Sequence, residues 1–270
     1  MQQKRPIRIF TYALIAYLAI GIAVYLFQDT LFFHPVPVSM ATRYDFGVPY
    51  REVNLPFEGD ANINIIQFSA DSTAGMRGAV LYFHGNRRNI GWYARHAGAF
   101  TKKGYEVWMI DYPGFGKSTG PFQEEVLYSY AQRLYMLARR QYAPDELIIY
   151  GRSMGTGIAA WLAERQPARR LILETPYYSF SSLASCYLPV YPVERMIRTR
   201  IPTHSYLSQV AMPVSIFHGT SDFVIPYRNA KRLEACLKPG DEFITVSGGG
   251  HNDLGDAEVF RRKLDSLLLR

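Results

Sequence analysis

The stretch Leu147-Ile-Ile-Tyr-Gly-Arg-Ser-Met-Gly-Thr-Gly157 decides how this chain folds. Leu147 to Tyr150 are apolar and favour extended backbone, so they read as a buried strand. Ile158, Ala159, Ala160, Trp161, Leu162 and Ala163 then continue as helix. Between the two, Gly151, Gly155 and Gly157 remove side chains where the backbone must turn sharply and pack closely. Ser153 sits at the tip of that turn. The pattern G-x-S-x-G between strand and helix lifts a serine hydroxyl clear of its own chain. The N-terminus of the following helix directs free N–H groups and its dipole at the hydroxyl, which favours negative charge developing there.

Working outward, buried strands and helices alternate. Gly78–His84, Tyr105–Ile110, Leu171–Glu174, Val214–His218 and Phe243–Val246 are short apolar runs, the pattern of strands covered on both faces. Helices are expected at Asn89–Lys103, Phe122–Gln141, Pro226–Leu237 and Gly255–Arg270. Tyr50–Phe57 and Ile63–Phe68 form a hairpin across Glu58-Gly-Asp60. This alternation predicts an α/β fold, a mostly parallel central sheet flanked by helices. The segment after Glu174, rich in Tyr and Pro, supplies only a small cap.

In such sheets function gathers in the loops after the C-terminal strand ends. Asp222 follows the strand Val214–His218, and His251 follows the strand ending at Val246. The order Ser153, Asp222, His251 suits a nucleophile, an orienting acid and a general base. Glu174 is the competing acid, and Asp253 lies too close to His251 in sequence to partner it comfortably. His218, before a glycine at a strand end, reads as a core histidine. An oxyanion needs two backbone N–H donors. Met154, next to the nucleophile, and Asn86, in the loop His84-Gly85-Asn86, are placed to supply them.

Several separated motifs agree in order: Tyr82-Phe-His-Gly-Asn86, Asp111-Tyr-Pro-Gly-Phe-Gly116, His218-Gly-Thr-Ser-Asp222 and Gly250-His-Asn-Asp253. From about Val53 onward the chain resembles an α/β-hydrolase of the abhydrolase-domain type. Within that superfamily it is similar to the group that includes membrane-tethered hydrolases, protein depalmitoylases and serine aminopeptidase-like enzymes. The resemblance implies Ser153, Asp222 and His251 as a catalytic triad, with Asn86 and Met154 as oxyanion donors. Substrate does not follow from the resemblance; apolar walls beside a membrane tether suit carboxylic esters or thioesters of acyl chains, so a serine hydrolase of that kind is the leading reading, with no metal or organic cofactor implied. A serine aminopeptidase and a catalytically silent binding fold are the alternatives. Arg87-Arg88 departs from the small residues expected after Asn86 and brings positive charge to the oxyanion entrance. Tyr177, Tyr178 and Tyr187, with Phe180, Leu183, Leu188, Tyr191, Met196 and Ile197, either line an acyl-binding wall or simply pack the cap.

Ile9–Phe27 is uncharged and apolar, close to the roughly 20 residues that span a bilayer as a helix. Lys4, Arg5 and Arg8 flank it on the N-terminal side, and Gln28 and Asp29 follow it. An uncleaved signal anchor fits better than a cleaved signal peptide, because apolar residues continue well past the small-residue site Ala19-Ile-Gly21, and better than a third option, a buried helix of the soluble domain. The expected organisation is an anchor at 1–29, a connecting segment at 30–49 and a catalytic domain at 50–270 with its cap at about 176–208. Charge asymmetry puts that domain on the extracytoplasmic side, in the periplasm if the source is bacterial. The expected partners are the membrane, through the N-terminal helix, and a small-molecule or acyl-chain substrate.

The remaining composition is that of a globular protein, with 270 residues, 48% hydrophobic and 14% aromatic. The net charge of +7 is scattered in short clusters, and no nucleic-acid-binding motif accompanies it. Cys186 and Cys236 show no metal-binding spacing and are expected to stay unbridged.

Overall fold

The computed structural model describes residues 4–71, 73 and 75–269, with side chains from Arg8 onward. Met1–Gln3 and Arg270, and the side chains of Lys4 and Arg5 in the basic flank, lie outside the described residues.

Eight strands form one sheet: β1 Tyr50–Pro56, β2 Asn62–Phe68, β3 Gly78–Phe83, β4 Tyr105–Ile110, β5 Leu147–Arg152, β6 Arg170–Glu174, β7 Val214–Gly219 and β8 Glu242–Val246. Their spatial order is β1-β2-β4-β3-β5-β6-β7-β8. β1 and β2 pair antiparallel, as do β2 and β4; every pairing from β4 to β8 is parallel. Alternation along the strands separates two apolar layers. Leu81, Trp108, Ile149, Leu173 and Ile216 face one layer, while Val80, Val107, Ile148, Ile172 and Phe217 face the other. Burial on both faces explains the unbroken apolar runs in the sequence.

The helices are α1 Lys4–Phe32, α2 Glu124–Ala138, α3 Gly155–Arg165, α4 Phe180–Tyr187, α5 Val193–Met196, α6 Thr203–Leu207, α7 Tyr227–Lys231 and α8 Glu258–Leu269. Between β6 and β7, α4, α5 and α6 make the small cap. The single helix expected over 89–103 is broken into turns at Ile90–Tyr93, Ala94–His96 and Gly98–Thr101. Two glycines, Gly91 and Gly98, weaken a helix there by about 1 kcal/mol each. Tertiary contacts also override the helical pattern: the Asp111 carboxylate holds the Ile90 N–H at 2.9 Å, and Tyr93 stacks on His84. The helix expected over 226–237 likewise tightens into a 3₁₀ turn at Arg232–Cys236.

Within α1, Arg8–Phe32 is 25 residues long and apolar enough to cross a membrane. Its first half projects freely, with Ile9 67% and Phe10 71% exposed. From Tyr17 onward it is tied to the cap. Tyr17 stacks on Tyr191 with centroids 4.5 Å apart, and each hydroxyl donates to a carbonyl across the contact. The buried Gln28 amide donates to the Met196 carbonyl and accepts from the Arg198 N–H at 2.7 Å. The helix continues to Phe32, past the uncharged run, because Phe32 and Phe33 pack on Phe180 of α4. Cys186 and Cys236 carry free thiols.

Candidate functional site

Ser153 leaves β5 with φ +52°, a left-handed conformation that costs about 1–3 kcal/mol for a non-glycine residue. Surrounding bonds hold it there. Its N–H donates to the Glu174 carbonyl at 2.9 Å, and its carbonyl accepts from both the N–H and hydroxyl of Thr156. Tyr177, buried beneath α3, donates its hydroxyl to the Met154 carbonyl at 3.0 Å. The glycines are required by contact. A Cβ on Gly155 would lie 2.1 Å from the Phe83 carbonyl oxygen, and one on Gly157 would lie 2.2 Å from Ile201.

The structure brings the three sequence-predicted residues together. His251 Nε2 lies 2.9 Å from Ser153 Oγ, and His251 Nδ1 lies 2.8 Å from Asp222 Oδ2. Asp222 is buried, and its Oδ1 accepts from the N–H groups of Val224 and Ile225. That leaves Oδ2 facing the imidazole. A proton on Nδ1 then donates to the carboxylate, and the Nε2 lone pair faces the serine hydroxyl. Glu174 is committed elsewhere: it accepts from the Tyr150 hydroxyl and pairs with Arg152 at 3.4 Å. Asp253 holds the turn before His251 by accepting from the Gly250 N–H. His218 is a buried histidine bonded to the Ile225 carbonyl.

The loop after β3 is braced from below. Buried His84 sets Nδ1 2.7 Å from the Gly85 carbonyl and Nε2 3.1 Å from Asp111 Oδ1. Burial pushes the Asp111 carboxyl above the usual range. The Tyr112 hydroxyl holds the His84 carbonyl at 2.9 Å. Above this brace, Asn86 and Ser153 line one cavity. Among the described residues, neither the Asn86 nor the Met154 backbone N–H has an internal acceptor.

A cavity of about 760 Å³ opens over Ser153, within the roughly 300–1,000 Å³ of small-ligand sites. Leu31, Phe32, Phe180, Leu183, Ala184 and Val224 give it an apolar side; Arg87, Arg88 and Arg152 give it a cationic one. Tyr187 lines it, but Tyr177 and Tyr178 do not. Tyr178 instead stacks on His204 at 4.1 Å and under the Arg232 guanidinium. The physical cause is Thr175, whose φ of +51° and N–H bond to the Phe217 carbonyl turn the chain back into the protein. Of the other cap residues considered for an acyl wall, Phe180 and Leu183 reach the cavity; Leu188, Tyr191, Met196 and Ile197 do not. Leu31 and Phe32 of α1 were not foreseen, since nothing local marks a residue that meets its partner some 150 positions away.

Arg152, next to the serine, is buried and donates to His96 Nε2 at 2.8 Å. Burial, then Arg152, pushes His96 from its ordinary 6.5 down to about 3. Between those values the unfolded chain binds a proton that the folded one refuses. The contribution of His96 to stability is therefore full above about pH 6.5 and is lost as the pH drops towards 3. Urea midpoints measured across this window are expected to fall less steeply for His96→Gln than for the native chain. Equal slopes would show that His96 is not a source of the acid sensitivity.

An eight-stranded sheet of this order, with a serine in a left-handed turn after its fifth strand, defines an α/β-hydrolase fold. A family model described as serine aminopeptidase, S33, matches residues 74–205. An α/β-hydrolase domain-containing protein 17C from Xenopus tropicalis is 30% identical over 198 residues, covering 72% of this chain. This chain spans only 61% of that relative's length. An uncharacterized protein of Mycobacterium tuberculosis is 25% identical over 257 residues, 94% of this chain and 91% of its own. Among solved structures, a Pyrococcus furiosus esterase superposes with a TM-score of 0.68 at 18% identity, covering 88% of this chain and 98% of its own. The chain belongs to the α/β-hydrolase superfamily.

Proposed function

We propose that this protein is a membrane-anchored serine hydrolase that cleaves carboxylic esters or thioesters of acyl chains. The observation that carries the proposal is the run from Asp222 through His251 to Ser153, at 2.8 and 2.9 Å. In this reading His251 Nε2 takes the Ser153 proton as Oγ attacks the acyl carbonyl. The oxyanion accepts from the N–H groups of Asn86 and Met154. Collapse expels the alcohol or thiol, which receives the proton from His251 and leaves an acyl-serine. Water then attacks that acyl group, giving its proton to His251, and the released acid and free serine restore the site. Asp222 keeps the imidazole oriented and stabilises its charged form.

The apolar cavity side suits an acyl chain. Leu31 and Phe32 put that side at the end of α1, next to the helix proposed to cross the bilayer. At roughly 1.5 Å per residue its apolar part is about 38 Å long, enough for a hydrocarbon core of about 30 Å. Exposed Ile9, Phe10, Leu26 and Phe27 are costly in water and favourable in lipid. Placement of the catalytic domain on the extracytoplasmic side belongs to the same proposal. So does the division into an anchor at 1–29, a linker at 30–49 and a catalytic domain at 50–270.

An aminopeptidase is the second reading, favoured by the family description. It calls for an acid that binds the substrate's free amine, and no Asp or Glu borders the cavity among the described residues. The test compares p-nitrophenyl esters of rising acyl length with aminoacyl p-nitroanilides. Ester turnover with an optimum chain length is expected; turnover of the anilides alone would establish the peptidase. Leu183→Trp, which adds bulk to the apolar side, is expected to move the optimum to shorter chains. An unmoved optimum would place the acyl group elsewhere.

A further inference from the structure

The two arginines after Asn86 are exposed at the edge of the cavity and, among the described residues, have no acidic partner. Among the described residues neither Arg87 nor Arg88 forms an ion pair, while Arg152, the third cavity arginine, is paired with Glu174. Their backbone is fixed. Arg87 and Arg88 pair in parallel with His34 and Pro35, just beyond the end of α1. The His34 N–H donates to the Asn86 carbonyl at 2.9 Å, and the Val36 N–H donates to the Arg88 carbonyl at 3.2 Å. The Asn89 side-chain amide closes the loop by donating to the Val36 carbonyl at 2.8 Å. Arg88 is held at φ +64°, strained backbone that persists only where its surroundings enforce it. Its guanidinium carbon lies 5.9 Å from the Trp92 ring centroid.

Two uncompensated guanidinium groups beside a nucleophile raise the local concentration of anions and match phosphate geometry well. The opposite side of the same cavity is apolar. A substrate that fits both sides has an acyl chain on one part and negative charge on the other. Building on the hydrolase reading above, we infer that the physiological substrate is an acyl ester or thioester whose alcohol or thiol half carries a phosphate. Arg87 and Arg88 would hold that phosphate while the acyl carbonyl meets Ser153. They act as specificity-determining residues, and the reaction releases a phosphate-bearing alcohol or thiol together with the free fatty acid.

The test uses the full chain in detergent and two matched substrate pairs of equal acyl length. One pair is an acyl-coenzyme A against the neutral acyl thioester of N-acetylcysteamine. The other is a lysophosphatidic acid against a monoacylglycerol, each in mixed micelles. The native protein is expected to favour the phosphate-bearing member of at least one pair by about tenfold or more in kcat/KM. The pair that shows the preference tells a soluble thioester from a lipid. In the double substitution Arg87→Ala, Arg88→Ala the preference should collapse through a rise in KM. Arg87→Lys, Arg88→Lys should restore part of it, and added salt should erode it in the native protein. Neutral substrates turned over as well as charged ones would overturn this inference and leave the hydrolase reading standing. Equal losses on both members of a pair would make the arginines structural and also overturn it. No turnover of any of the four by a chain that hydrolyses p-nitrophenyl esters would overturn this inference alone; no turnover of those esters either would remove the hydrolase reading with it.

Discussion

Ser153→Ala is expected to lower ester hydrolysis by about 10⁴- to 10⁶-fold while the protein stays folded. The size follows from what the hydroxyl does. Without Oγ no acyl-serine forms, and His251 with its oxyanion donors is left to assist direct attack by water. The fold has little to lose. Among the described residues the Ser153 side chain bonds to His251 alone, and the bonds that hold the turn come from its own backbone and from Thr156. Alanine inherits the left-handed φ of +52° at a similar cost. The comparison is of purified native and substituted chains on one p-nitrophenyl ester, with thermal melts recorded alongside. Retention of even a few per cent of the activity at an unchanged melting temperature would remove Ser153 from the chemistry.

Gly155→Ala is expected to damage the fold itself. The new methyl would lie 2.1 Å from the Phe83 carbonyl oxygen, 2.5 Å from its carbon and 2.6 Å from the His84 carbonyl oxygen. These are backbone atoms of a central strand and of the loop that carries Asn86, so no side-chain rotation relieves the clash. Overpacking of this kind costs about 1–3 kcal/mol or more, against a total stability of about 5–15 kcal/mol. A drop of about 5 °C or more in Tm is expected, or insoluble protein, with activity lost because β3 and α3 can no longer close on each other. Gly98→Ala is the control: nothing lies within 4 Å of its added methyl, and Tm should hold or rise slightly. If both substitutions left Tm unchanged, the close approach at Gly155 would be wrong.

The parts of the fold legible in the sequence are those whose physics is local. The strand from Leu147 and the glycines around Ser153 reveal a sharp turn within a dozen residues. Burial on both faces writes itself into continuous apolar runs, so the parallel sheet could be read strand by strand. Asp222 and His251 were legible because each follows a strand end closely. At Tyr177 and Tyr178, which also follow a strand end, the sequence left an acyl wall and simple packing equally open, and neither residue reaches the cavity. There a single left-handed residue, Thr175, reverses the chain into the core, and no pattern in the sequence announces its φ. The helix expected at 89–103 failed for a related reason. Its amphipathic spacing is real, but the Asp111 carboxylate and the His84 ring fix Ile90 and Tyr93 individually. The share of the cavity built by Leu31 and Phe32 was out of reach, since the packing of Phe32 on Phe180 is set by tertiary structure alone.

The most direct test of the proposed chemistry is to trap the covalent intermediate. The native chain would be mixed briefly with a p-nitrophenyl acyl ester, quenched in acid, and its intact mass and peptide map recorded. One added acyl group is expected on the peptide that carries Ser153, absent from Ser153→Ala, with a burst of p-nitrophenol equal to the enzyme present. Hydrolysis that proceeds with no burst and no adduct, or with the acyl group on another residue, would contradict the proposed chemistry.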